Sequence, residues 1–292
     1  MLYVNLKPVE VEHFPDGSQM LLKMRVYPHP KANEARLSPK FCDIFWRYEN
    51  DEECMTLWYI VNHVKEHDPD AEICLSMLYC PNARMDRTKN VGEVFTLKYF
   101  AKFINSLGFK QVLIFDPHSN VTPALIDRAI VISPEDTIVK AIDLAFEDVD
   151  EYKDMYVYFP DAGAMKRYSD LKCFSKLTLI YGEKKRNWET GKIEGLKIKD
   201  RNGDNLDENA LVGKTVLMID DIISYGGTFY YSAKALKEHG AKEIFAYASH
   251  TENSILDKEN GTFIKCLEDG TVTTLFTSTS LYNGKHDKIK TI

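Results

Sequence analysis

From about Asp70 onward, short apolar runs alternate with stretches in which apolar residues recur every three or four positions. That is the rhythm of βα units around a largely parallel sheet. Ile73 to Tyr79 is predicted as a strand. Glu93 to Leu107 follows as a core-facing helix, with Val94, Leu97, Phe100, Ala101, Ile104 and Leu107 on one face and Gly108 as terminator. Val112 to Phe115 is the next strand. Ser133-Pro134-Glu135-Asp136 predicts a helix start, with serine as cap, proline in the first turn and two acids at the positive end of the dipole. Beyond it come the strand Met155 to Phe159, a helix around Ala164 to Phe174, and the strand Leu177 to Tyr181. Lys192 to Lys199 and the polar Asp200 to Asn209 predict a hairpin or flap, with Asn202-Gly203-Asp204 as turn chemistry. The clearest unit is a buried strand, Val216 to Ile219, a glycine turn, Ser224 to Thr228, and a helix, Phe229 to His239, ended by Gly240. It returns through the strand Ile244 to Ala248. The first 70 residues are less regular: Pro28, Pro30 and Pro39 break the chain, and Cys54 to Val64 predicts a helix.

Length changes the picture first. A chain of 292 residues suits two α/β domains better than one, divided here as 1–132 and 133–292. Hydrophobic residues at 44% and charged residues at 28% are ordinary globular composition, and a formal charge of −7 argues against a nucleic-acid-binding surface. No apolar run reaches the roughly 20 residues of a membrane span, and MLYVNLKPVE lacks the order of a signal peptide, so a cytoplasmic protein without membrane partners is expected. Six scattered cysteines, without zinc-like or thioredoxin-like spacing, suit reduced thiols.

Candidate chemistry gathers in one segment. Asp220 and Asp221 end the strand that begins at Val216, immediately before Ser224-Tyr225-Gly226-Gly227-Thr228. Ligands of open α/β sheets bind at that edge. Two carboxylates there accept hydrogen bonds from a vicinal diol, while glycine amides and a helix N-terminus face a phosphate. A ribose carrying a 5′-phosphate meets both demands, although acids and glycines are also common in βα turns.

The segment resembles the ribose-phosphate loop of ribose-phosphate pyrophosphokinases and phosphoribosyltransferases. Phe14-Pro15-Asp16-Gly17, Ala83-Arg84-Met85-Asp86-Arg87, Asp116-Pro117-His118-Ser119, Pro160-Asp161-Ala162-Gly163 and Glu183-Lys184-Lys185-Arg186 resemble, in order, further signatures of the kinases. The resemblance implies two phosphoribosyltransferase-like α/β domains, each with a mostly parallel sheet flanked by helices. The N-terminal one lies on the ATP side. The C-terminal one carries the ribose-phosphate loop and a catalytic flap, its last residues open to returning to the N-terminal domain. It also implies transfer of the pyrophosphoryl group of ATP to the anomeric hydroxyl of ribose 5-phosphate, with Mg2+ as cofactor. Lys184 and Arg186 would stabilise the transferring group from the flap. Arg84, Asp86 and Arg87 would belong to the ATP site, and His118 would lie near the γ-phosphate and its metal. Asp161 would organise magnesium and its water. Phe14 and Asp16 would reach adenine bound by a neighbouring subunit, which implies a homo-oligomer.

Where the family usually has Asp-Thr-Gly-Gly-Thr, this chain has Ser224-Tyr225-Gly226-Gly227-Thr228. A large aromatic beside the phosphate turn leaves ADP-ribose open as an alternative acceptor, with Tyr225 either stacking on an extended ligand or packing locally. Ser18, Met85 and Ala164 also depart from the pattern, and both the N-terminal strand and the C-terminal helix of the family look curtailed, so the standard hexamer and its allosteric sites are not expected. Two readings compete. A phosphoribosyltransferase would share the acid-rich loop but not the set Arg84, Arg87, His118, Lys184 and Arg186. A non-catalytic regulatory subunit or phosphoribosyl-pyrophosphate sensor would not need the flap cations.

Overall fold

The structure, a computed structural model, describes residues 1–21, 41–146, 154–186 and 193–292, with 184–186 and 193–195 described by backbone alone. The breaks expected at Pro28, Pro30 and Pro39, and Lys192 at the flap, lie outside the described residues. The chain forms two compact units, Met1–Ser133 and Pro134–Ile292.

The first unit opens with short strands that the hydropathy pattern does not reveal: β1 (Leu2–Val4), β2 (Lys7–Pro8), β3 (Val11–His13) and β4 (Gln19–Leu21). Then follow β5 (Phe41–Trp46), α1 (Glu52–His67), β6 (Glu72–Met77), α2 (Thr96–Ser106), β7 (Gln111–Phe115), α3 (Val121–Leu125) and β8 (Ala129–Ile132). Its sheet runs β2-β1-β5-β6-β7-β8, parallel from β5 to β8 and antiparallel at β1 and β2. The helix expected from Glu93 starts three residues later, because the Glu93 carboxylate accepts from Lys89 N (2.7 Å) and Asn90 Nδ2 (2.7 Å) and closes a turn instead. Val94 is consequently exposed rather than part of the core.

The second unit contains α4 (Glu135–Ala145), β9 (Tyr156–Phe159), α5 (Ala162–Tyr168), β10 (Thr178–Arg186), β11 (Ile193–Asp200), β12 (Thr215–Ile223), α6 (Gly227–Glu238), β13 (Glu243–Thr251), α7 (Phe263–Glu268), β14 (Thr274–Thr277) and β15 (Ile289–Thr291). Its sheet runs β11-β10-β9-β12-β13-β14-β15 and is parallel except for β11. The last residues, in β15, thus close the edge of the second sheet beside β14. At the start of α4 the cap position is Pro134, not Ser133, and the two expected acids occupy the first turn. The helix expected to reach Phe174 ends at Tyr168, and Lys172–Phe174 forms a separate 3₁₀ turn. Asn202-Gly203-Asp204 does turn, around Asp200, whose Oδ1 accepts from Asn202 N and Asp204 N (both 2.9 Å).

Alternation along the parallel strands builds two cores, one on each face of this sheet. Val216, Met218, Ile244 and Ala246 pack with Phe229, Ala233 and Leu236 of α6. Leu217, Ile219, Phe245 and Tyr247 pack on the other face with Ile138 of α4 and Met165 and Tyr168 of α5. Among the described residues no helix is long and apolar enough to cross a membrane.

Candidate active site

In the second unit the chain leaves β9 towards β10 on one side, and β12 returns to pair with β9 on the other. Such a reversal opens a crevice at the carboxyl ends of the two central strands. Asp161 follows β9, and Asp220 and Asp221 lie near the end of β12, which runs four residues past the expected Ile219.

The three acids are held differently. Asp161 caps α5, its Oδ1 accepting from Gly163 N and Ala164 N (both 3.0 Å). Asp221 has the strand parity of Leu217 and Ile219 and so turns to the α5 face, where it is 3% exposed and meets Arg167 Nη1 at 2.9 Å. The guanidinium also lies 5.4 Å from the centre of the Tyr168 ring. Asp220, on the opposite parity, is half-buried and accepts the Asp221 N–H at 2.9 Å. Burial, followed by the charge and hydrogen bond of Asp221 and by the charge of Asp161, pushes the Asp220 carboxyl well above the usual range. Asp221 is thus a buried carboxyl held by Arg167, whereas Asp220 is the strained carboxylate that a diol or cation would relieve.

Arg167 gave no sign of this role in the sequence, since its partner lies 54 positions away. Replacing it with methionine keeps the stem's packing but removes this cation from the buried Asp221 carboxylate; the expected loss is up to about 3–5 kcal/mol of stability. Thermal unfolding of Arg167→Met at neutral pH would measure it, and a change below about 1 kcal/mol would show that the pair is not structural.

The turn after β12 has its tightest point at Gly226, at φ 81°. A Cβ there would collide with Phe263 Cβ, so both the backbone conformation and the close approach require glycine. Helix α6 begins at Gly227, two residues earlier than expected, so the positive end of its dipole lies at this turn. Ser224, Gly227 and Thr228 are half-buried around this turn, and Tyr225 is 46% exposed.

Strand β10 continues beyond Tyr181, which pairs with Phe159, and forms an antiparallel hairpin with β11 in which Lys184 faces Leu196. The hairpin that carries 184–186 is therefore β10 with β11, while the turn expected inside 192–209 closes its own short antiparallel bridge, Lys199 with Asn205. A Cβ at Gly182 would strike the Tyr158 hydroxyl, which itself donates to Ser232 Oγ (2.9 Å) on α6. The same Cβ would lie 3.0 Å from the Pro160 carbonyl, so the strand passes close beside the end of β9. The Lys184 and Arg186 side chains lie outside the described residues.

In the first unit, Arg84, Asp86 and Arg87 follow β6 and His118 follows β7, so both loops leave the same edge of the parallel pair. Arg87 is well exposed and its Nε lies 3.4 Å from Asp86 Oδ1. Asp116, just before His118, is buried at φ 38°, a conformation that costs on the order of 1–3 kcal/mol and collects at functional sites. Phe14 and Asp16 occupy the turn between β3 and β4. Phe14 is 49% exposed. Asp16 Oδ1 accepts from Ser18 N (2.9 Å) and Ser18 Oγ (2.6 Å), which hold its carboxyl below the usual range.

The phosphoribosyl transferase domain model matches residues 168–280. Ribose-phosphate pyrophosphokinase of Sulfurisphaera tokodaii is 30% identical over 252 residues, covering 86% of this chain and 79% of that protein. The enzyme of the same name from Ureaplasma parvum is 28% identical over 253 residues, 86% of this chain and 69% of its own. Among solved structures, phosphoribosylpyrophosphate synthetase from Mycobacterium smegmatis superposes with a TM-score of 0.70 over 98% of this chain and 85% of that one; at 16% identity this is a likeness of fold.

Proposed function

The chain belongs to the ribose-phosphate pyrophosphokinase family, and on that premise we propose that it makes phosphoribosyl pyrophosphate and AMP from ATP and ribose 5-phosphate. The anomeric oxygen of the sugar attacks the β-phosphorus of ATP. The bond from that phosphorus to the α–β bridging oxygen breaks, AMP departs and the sugar hydroxyl loses its proton. The observation that carries this reading is the pairing of a half-buried, charge-strained Asp220 with a glycine turn at an α6 N-terminus on one sheet edge. Asp220 accepts from the ribose diol, and the amides of 224–228, with the Ser224 and Thr228 hydroxyls, hold the 5′-phosphate.

The family resemblance assigns Lys184 and Arg186 of the β10–β11 flap to the negative charge that gathers on the transferring group. It assigns Arg84, Asp86, Arg87 and His118, with Phe14 and Asp16 from a neighbouring copy in a homo-oligomer, to ATP. Magnesium fits the donor set: Asp161 and Asp220 are hard oxygen donors whose repulsion a cation would relieve, and His118 is the first unit's candidate. No group of three or more His, Cys, Asp or Glu forms a metal cage among the described residues. Bound with ATP, magnesium would supply neutralisation of the polyphosphate charge. The six free cysteines are consistent with a cytoplasmic enzyme.

ADP-ribose remains a second acceptor on one observation: Tyr225, a large aromatic, is 46% exposed beside the phosphate turn. One assay addresses these readings. The protein is incubated with magnesium, ATP and either ribose 5-phosphate or ADP-ribose, and products are identified by mass. AMP with phosphoribosyl pyrophosphate is expected. AMP only with ADP-ribose would reassign the acceptor, turnover of phosphoribosyl pyrophosphate with a base would make it a transferase, and binding without AMP would make it a sensor.

A further inference from the structure

The phosphate turn is gripped from outside by a dipeptide that no part of the sequence signature contains. The Tyr225 carbonyl accepts from three donors: Thr262 N at 2.8 Å, Thr262 Oγ1 at 2.9 Å and Phe263 N at 3.3 Å. The Phe263 backbone and Cβ fill the space that a Cβ on Gly226 would need. The Phe263 ring then meets Phe229 of α6 edge-on, with centroids 5.3 Å apart and both rings buried. One end of the turn is thereby tied through hydrogen bonds and the other through packing, both to Thr262-Phe263.

The consequence for a ligand follows from peptide geometry. In a trans peptide the C=O and the next N–H point in opposite directions, and this chain has no cis bond among its described residues. Holding the Tyr225 carbonyl against α7 therefore aims the Gly226 N–H away from α7, to the free side of the turn.

We propose that Thr262 is a positioning residue for the acceptor's phosphate: its hydroxyl and amide set the Tyr225–Gly226 peptide plane so that the turn's amides meet the anion without reorganising. This rests on the reading that 224–228 holds that phosphate. Preorganised donors are worth more than donors that must be ordered on binding.

The hydroxyl is isolated by comparing Thr262→Ala with Thr262→Ser, since both lose the methyl and only serine keeps the donor. Two readouts are taken on the full chain: ribose 5-phosphate binding by calorimetry, and hydrogen exchange of the peptide spanning 224–228 without ligand. Thr262→Ala is expected to weaken binding by about three- to tenfold, the effect of one hydrogen bond, and to speed exchange in the turn, with Thr262→Ser close to the parent in both. Equal binding and exchange in the alanine and parent proteins would overturn the proposal. Equal loss in both variants would do so too, by assigning the effect to the methyl. If the parent protein fails to bind ribose 5-phosphate, the phosphate-site reading falls and this positioning role falls with it, while faster exchange in Thr262→Ala alone would still mark the grip as real.

Discussion

Asp220→Asn is expected to raise the melting temperature of the ligand-free protein at neutral pH while lowering kcat/KM for ribose 5-phosphate by about 10²-fold, the effect of losing a charged hydrogen bond worth roughly 1.5–3 kcal/mol. The two effects have one origin. The Asp220 carboxyl is pushed well above the usual range by burial and by Asp221 and Asp161, so its charged form is disfavoured in the folded protein. A carboxyl whose folded value lies above its unfolded value of about 3.9 contributes stability that is complete below that value and is lost as pH rises through the folded one. The parent protein should therefore lose stability as pH climbs from about 4 towards neutrality, and the asparagine variant should lose less. Asparagine keeps the oxygen that accepts the Asp221 N–H, and its amide can donate where a protonated Asp220 would. For a domain of this size each 1 kcal/mol gained appears as about 2–4 °C. Melting curves of both proteins between pH 4 and 8, with steady-state kinetics beside them, test the linkage. An asparagine variant no more stable than the parent at pH 7 would mean that Asp220 is not strained in the empty site.

The parts of this fold that could be read from the chain are those where one physical demand dominates. Val216 to Ile219 is continuously apolar because β12 is buried on both faces, and Gly226 marks a turn that admits no Cβ. Strands β1 to β4 were hidden because they are two or three residues long, and β2 is exposed at both positions, so no alternation can develop. Strand β10 passes from the apolar Thr178–Tyr181 into Glu183-Lys184-Lys185-Arg186, where hydropathy stops signalling a strand although pairing with β11 continues. The acid pair could be located but its division of labour could not. It is Arg167 on α5 that pairs with the buried Asp221, and it is Thr262 that grips the turn. Both contacts are tertiary, between positions 54 and 37 residues apart, and neither leaves a local pattern.

Lys184→Ala is expected to lower kcat by about 10²–10³-fold while leaving ribose 5-phosphate affinity within about twofold of the parent. The argument starts from the backbone. Tyr181 of β10 pairs with Phe159 of β9, two residues before Asp161, so the strand carries Lys184 beyond the same sheet edge at which the acids stand. On that edge Asp220 and Asp161 make a field suited to a diol and a cation, and nothing in the turn at 224–228 supplies a formal positive charge for a transferring pyrophosphoryl group. A lysine held by the flap can supply that charge when ATP is present, which is a contribution made chiefly in the transition state and so shows in kcat rather than in sugar binding. The hairpin register Lys184 to Leu196 is a backbone pairing and survives truncation of the side chain, so the flap itself should persist. Calorimetry with ribose 5-phosphate and AMP release at saturating ATP separate the two quantities. A variant that keeps full kcat would remove Lys184 from the chemistry, and one that loses sugar binding as well would place it at the acceptor rather than at the group being transferred.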